Sequence, residues 1–131
     1  MRSLHRDEGG GSTVELAIAL PLLLLVLLGA VQFGLVVHAR SVTQTAAVEG
    51  ARAAAAEGRS LEEGAARTRD VLESGLGATG QAFTVEAAEQ GDAVVVEAHG
   101  SYPLFIPWVT DLSVPLEATA EVWREDFRAG P

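Results

Sequence analysis

Two different hydrophobic rules govern this chain, and they change at residue 37. Leu16 to Val37 contains no charged residue. As one helix this run would extend about 33 Å, against a bilayer hydrocarbon core of roughly 30 Å. The rest of the chain is too small to bury it on every side, so the pattern predicts a membrane helix from about Val14 to Val37. Pro21 stands inside it, where it removes one backbone hydrogen bond and crowds the carbonyl of Ala17, so a kink or loosened turn is expected there. Neither Gly nor Pro separates Val37 from Glu49, and the helix is expected to continue beyond the membrane segment until Gly58. Its outer part is built from Ala46, Ala47, Ala51, Ala53 and Ala54 with Gly50 among them, small residues that permit close approach of a neighbouring element.

A second helix has its own punctuation. Ser60 followed by Glu63 reads as a capping box. Leu61, Ala65, Thr68, Leu72 and Leu76 then recur at helical spacing as one narrow apolar stripe. Gly75 and Gly77 supply the stop signal. Past Gly80 the period becomes two. Phe83, Val85 and Ala87 form one alternating set. Val94, Val96 and Ala98 form a second, after a turn at Gln90-Gly91-Asp92, and Leu116, Ala118, Ala120 and Val122 form a third. Three strands, each with one apolar face, predict a small antiparallel sheet packed on amphipathic helices. The expected fold class is α+β: a long N-terminal transmembrane helix continuing into a head with a second helix and a three-stranded sheet. Between the second and third strands, residues 100–112 read GSYPLFIPWVTDL. The large apolar residues Tyr102, Phe105, Ile106 and Trp108 make this segment a candidate contact surface, with a loop folded back over the sheet as the equally weighted alternative.

Charge adds the surroundings. After residue 37 the chain holds 7 Arg and 15 Asp+Glu, an acidic head with no basic stripe, so nucleic acid is not an expected partner. Arg2 and Arg6 before the apolar run balance Arg40 and Arg52 after it, so the positive-inside rule gives a tie. The short polar head and the acidic domain favour a cytoplasmic N-terminus. Cysteine is absent, which removes disulfides and thiol chemistry.

No catalytic constellation follows from the motifs. The stretch GLGATG, Gly75 to Gly80, matches a dinucleotide fingerprint by letter. It has a helix before it and a strand after it, the reverse of the required order. His5, His38 and His99 lack ligand spacing, and no nucleophile elbow frames a serine. Neither enzyme activity nor a cofactor or metal is expected. Glu15, at the mouth of the apolar run, reads on physics alone as a boundary carboxylate favoured by the helix dipole.

The residues around Glu15 carry a more specific likeness. Gly10, then Gly11-Ser12-Thr13-Val14-Glu15 and a long apolar run, is laid out like a type IV prepilin processing site. Residues 11–52 resemble the N-terminal module of TadE-like proteins, minor pilins or pseudopilins of tight-adherence (Tad) pili. The matching residues are Val14-Glu15, Ala17, Leu20-Pro21, the Leu run, Gly29, Phe33-Gly34, Gln44, Ala47 and Gly50-Ala51-Arg52, about a third of the chain. Leu16 stands where Tad major pilins commonly carry Tyr, and Gln32 where many relatives carry Glu.

The resemblance implies a leader peptide (residues 1–10) removed by a prepilin peptidase at Gly10-Gly11, a transmembrane and assembly helix (11–37) and an extracytoplasmic head (38–131). Glu15 would pair with the new α-amine of a neighbouring subunit's Gly11, which avoids a lone charge in an apolar bundle. The implied partners are the peptidase, other Tad pilins and pseudopilins, the pilus assembly platform and the bilayer. Two other readings are a membrane-anchored binding or sensing domain, and a domain secreted after cleavage at Val37-His38-Ala39. The apolar run exceeds the usual 7–15 residues of a signal-peptide core, which opposes the second.

Overall fold

The structure, a computed structural model, describes residues 2–56 and 58–124, with the backbone alone described for residues 2–10. The order of elements is α1 (Arg2–Ala55), α2 (Leu61–Leu76), α3 (Ala78–Gln81), β1 (Thr84–Gln90), β2 (Ala93–Pro103) and β3 (Ser113–Trp123). The expected α+β class is therefore observed. The chain divides into two compact units between Gly34 and Leu35.

In the first unit α1 already begins at Arg2, so the polar stretch before the apolar run is helical rather than a separate head. Once a helix is nucleated, each further residue adds a hydrogen bond, so extension is easier than initiation. The helix passes Pro21 without a break. Its large side chains are open all round: Leu16, Leu24, Val26 and Phe33 are among those more than half exposed.

In the second unit α1 becomes one-sided. Ala39, Thr43, Ala46, Ala47, Gly50, Ala51, Ala54 and Ala55 are buried, and their spacing keeps them on one helix face. The helix ends at Ala55, earlier than the expected stop at Gly58, and Ala56 donates its N–H to the Arg52 carbonyl at 3.2 Å. Ser60 caps α2 as its position predicts, its hydroxyl accepting from the Glu63 N–H at 3.2 Å. The predicted stripe is the packed face, with Thr68 and Leu72 buried and Leu61, Ala65 and Leu76 half-buried, together with a buried Gly64.

At the other end Gly77, with φ 58°, donates its N–H to the Glu73 carbonyl at 2.8 Å and closes the helix. Gly75 lies inside α2 and is not a stop. A Cβ there would stand 2.5 Å from a Val42 methyl, so its role is close packing on α1. A short helix, α3 (Ala78–Gln81), begins within the GLGATG stretch.

The sheet order is β1-β2-β3, antiparallel throughout. Gly91 (φ 60°) and Asp92 form the two-residue turn between β1 and β2, one residue tighter than the sequence suggested. The alternating sets keep their predicted phase. Phe83, Val85, Val94, Val96, Ala98, Leu116, Ala118 and Ala120 join Leu72 and the α1 alanines in one core. Leu72, Leu116, Val94 and Val96 are its largest fully buried apolar side chains. Thr43 and Thr68, buried with it, donate their hydroxyls to the carbonyls of Ala39 (2.8 Å) and Gly64 (3.0 Å), so neither is orphaned.

Candidate functional site

Gly10 and Gly11 lie in unbroken helix, and Gly11 has nothing within 4 Å of where a Cβ would be. Glu15 follows one turn later, exposed, and no ion pair or hydrogen bond holds its carboxylate among the described residues. Around it Val14, Leu16 and Ile18 are 58–59% exposed. The stretch from Gly11 contains the one helix, among the described residues, long and apolar enough to cross a membrane. Among the described residues its large side chains stay exposed, and an apolar surface of this length suits burial in lipid or against other helices.

The module's outer end does a second job. Gly50 and Ala51 are buried where α1 meets α2, and a Cβ on Gly50 would stand 2.7 Å from the Gly64 carbonyl oxygen. On the opposite helix a Cβ on Gly64 would stand 2.4 Å from the Ala54 side chain. The two backbones touch because neither has a side chain. Arg52 and Gln44 face outward.

The segment between β2 and β3 splits the four apolar residues singled out there. Tyr102 belongs to β2 and packs half-buried against the core. Ile106 is 38% exposed, Phe105 70% and Trp108 95%. The loop is closed at its base by Leu104 N–H donating to the Leu112 carbonyl (2.8 Å) and at its tip by Val109 N–H donating to that of Ile106 (3.1 Å). Folding back over the sheet therefore describes Tyr102 and not Trp108. One feature had no advance signal in the sequence: a shallow groove of about 500 Å³ floored by Ala53, Ala56 and Ala66 and rimmed by Arg59 and Arg67. It exists because α1 and α2 meet, and neither helix alone encodes it. Among the described residues no three His, Cys, Asp or Glu side chains converge on a possible metal site.

Residues 10–52 match the family model described as TadE-like protein. That stretch, about a third of the chain, is similar to TadE-like proteins. The match runs from the Gly10-Gly11 junction, through Glu15 and the apolar run, to Gly50, Ala51 and Arg52 where α1 meets α2. No curated protein and no solved structure matches the chain significantly. A TadE-like module with a single N-terminal apolar helix fits a single-pass membrane protein associated with the Tad pilus, and the family implies other pilus components as partners.

Proposed function

We propose that this chain is a minor pilin or pseudopilin of a Tad pilus, a structural and assembly subunit without enzymatic activity. In this reading the N-terminus is cytoplasmic and the head (38–131) extracytoplasmic. A prepilin peptidase cuts after Gly10. Residues 11–37 then hold the subunit in the membrane until a filament or its base takes it up. The observation that carries the reading is the TadE-like match, which starts at the small-residue junction and contains a carboxylate at the fifth position of the expected mature chain.

The physical role of Glu15 follows from the helix surface. Side by side, such helices exclude water, and cleavage leaves an ammonium on Gly11. A carboxylate four residues on in a neighbouring chain neutralises it, while an unpaired buried charge is strongly destabilising. Three successive glycines, Gly9 to Gly11, also suit the junction: each is about 1 kcal/mol worse than Ala in a helix, so this turn unwinds most easily for a protease that needs extended chain. Intact mass of the membrane-derived protein tests the reading. A mature chain beginning at Gly11 supports it, and one beginning at Met1 or Arg40 rejects it.

A further inference from the structure

α2 is laid back along α1 towards the end of the apolar run. Gly64, in its first turn, lies against Gly50 and Ala54 of α1, whereas Gly75, in its last, lies against Val42. The two contacts make the helices antiparallel and bring the C-terminal end of α2 to the part of α1 that follows Val37. Leu35 and Val37 are still apolar and exposed, and Val37 is the last residue of the uncharged run. At roughly 1.5 Å per residue, His38 to Val42 occupy about the next 8 Å of helix. The headgroup layer on each side of a bilayer is about 5–8 Å thick. Side chains gathered there from α1 and from the end of α2 therefore lie at the level of lipid headgroups.

A groove of about 320 Å³ is built at that level, between His38, Ser41, Val42 and Thr45 of α1 and Val71 and Ser74 of α2. It is separate from the groove at Ala53 and Ala66, because by helical spacing the Glu49–Arg67 ion pair (3.5 Å) stands between the two. The linings differ in kind. The farther groove has Glu63 and Asp70 in its wall, whereas this one has no carboxylate. Its polar groups are an imidazole and three hydroxyls, all able to donate a hydrogen bond. His38, Ser41, Thr45 and Ser74 are exposed, and none is held in a hydrogen bond or ion pair among the described residues. Val42 and Val71, both half-buried, add an apolar wall.

Net charge does not bring this face to a membrane, since the chain as a whole carries −9. Next in sequence to the lining residues stand Arg40, Asp70 and Glu73, the last engaged by Gln81 at 3.0 Å. Position selects the occupant instead. At this depth the abundant polar group is the phosphodiester of the lipids, which only accepts hydrogen bonds, and the groove offers donors and no carboxylate. We propose that, while the chain spans a bilayer, the His38–Ser41–Ser74 groove holds the phosphate of one phospholipid, with Val42 and Val71 against its glycerol and first acyl carbons. The end of α2 is thereby tied to the lipid surface. In the pilin reading, taking the subunit into a filament must release this lipid as well as the apolar helix. The inference rests on the membrane reading of the apolar run and is independent of cleavage at Gly10 and of the Gly11–Glu15 pairing.

Native mass spectrometry of the full chain in detergent tests this. The chain is titrated with phosphatidylglycerol, or with a galactosyl diacylglycerol of the same acyl chains, which has a headgroup but no phosphate. The expected result is that the phospholipid is retained at least about tenfold better. Ser41→Ala combined with Ser74→Ala should remove most of that preference, a drop of about tenfold, without changing any charge. His38→Phe should lower it separately, and Ser101→Ala, on β2, should leave it unchanged. Ala is a better helix former than Ser, so the double variant keeps its fold, and a circular dichroism melt verifies it. Equal retention of the two lipids overturns the proposal. So does a preference that survives loss of the hydroxyls, which is charge attraction alone. Inorganic phosphate that displaces the lipid at equal concentration makes the site one for a free anion and also overturns it. Flotation with phosphatidylglycerol vesicles separates these outcomes from failure of the membrane reading. A chain that does not float rejects both, and one that floats without lipid preference rejects the phosphate site alone.

Discussion

Gly64 on α2 lies so close to Gly50 on α1 that a Cβ on Gly64 would stand 2.7 Å from the Gly50 carbonyl oxygen. That oxygen belongs to a helix backbone and has no rotamer to retreat into. The Ala54 side chain, 2.4 Å from the same point, is a lone methyl and is equally fixed. Two helices thus meet backbone to backbone, and the alanine face of α1 is brought within reach of the core.

The first prediction follows directly. Gly64→Ala sets the helix-propensity gain of up to about 1 kcal/mol against an overpacking cost of about 1–3 kcal/mol or more. With nothing able to move locally, the helices must separate, and the loss should prevail by about 1–2 kcal/mol. For a head of this size that lowers the melting temperature by roughly 4–16 °C. Gly29→Ala, where nothing lies within 4 Å, should leave the head's melt unchanged. Thermal unfolding of the full chain in detergent, followed by circular dichroism, compares the two.

The loop residues should separate by stability. Tyr102→Ala removes half-buried contacts with the core and should cost about 1–3 kcal/mol. Trp108→Gly removes an exposed ring and relieves a left-handed residue. The relief of about 1–2 kcal/mol is offset by roughly 0.5–1 kcal/mol of extra freedom in the unfolded chain, so its melting temperature should equal or slightly exceed that of the wild type. A clear drop for Trp108→Gly would mean that the indole packs within its own chain.

Processing and assembly should also separate. Gly10→Val should leave an uncut precursor, with Gly9 rescuing a little cleavage at most. Glu15→Gln should be cut normally but enter filaments poorly, because an amide keeps the shape without neutralising a buried amine. Leaving that amine unpaired costs about 3–5 kcal/mol. The association constant should then fall by about two to four orders of magnitude. Mass spectrometry of precursor and mature forms, with the subunit's presence in sheared filaments, reads both steps. Normal assembly of Glu15→Gln would return the residue to a boundary carboxylate.

What the sequence made legible was what depends on near neighbours. The inward phase of Val94, Val96 and Ala98 is set by period-two alternation, and the Ser60 cap by a local hydroxyl–amide bond. The TadE-like stretch was readable because its small residues and carboxylate sit at fixed spacing. Features that arise between distant segments were not readable. Gly75 looks like a helix stop until Val42 is seen against it, and Tyr102 looks like loop until β2 is seen to run on to Pro103. The groove needs Ala53 on α1 and Ala66 on α2, 13 residues apart in sequence, to face each other. The positive φ of Trp108 breaks the usual preference for Gly, so no turn rule anticipated it.

The strand order β1-β2-β3 has a kinetic consequence. Each strand pairs with its neighbour in sequence, so the sheet assembles without any long loop closure. A hairpin closes in about 1–10 μs, whereas a ribosome adds only about 5–20 residues per second. The β1–β2 hairpin is therefore complete when Pro103 emerges, and it waits on the order of a second for β3 to follow. During that interval the far edge of β2, with its Val94-Val95-Val96 run, is an unpaired and strongly β-forming edge. The nascent head is most prone to aggregate in that window, and slowing translation between Tyr102 and Ser113 would lengthen it.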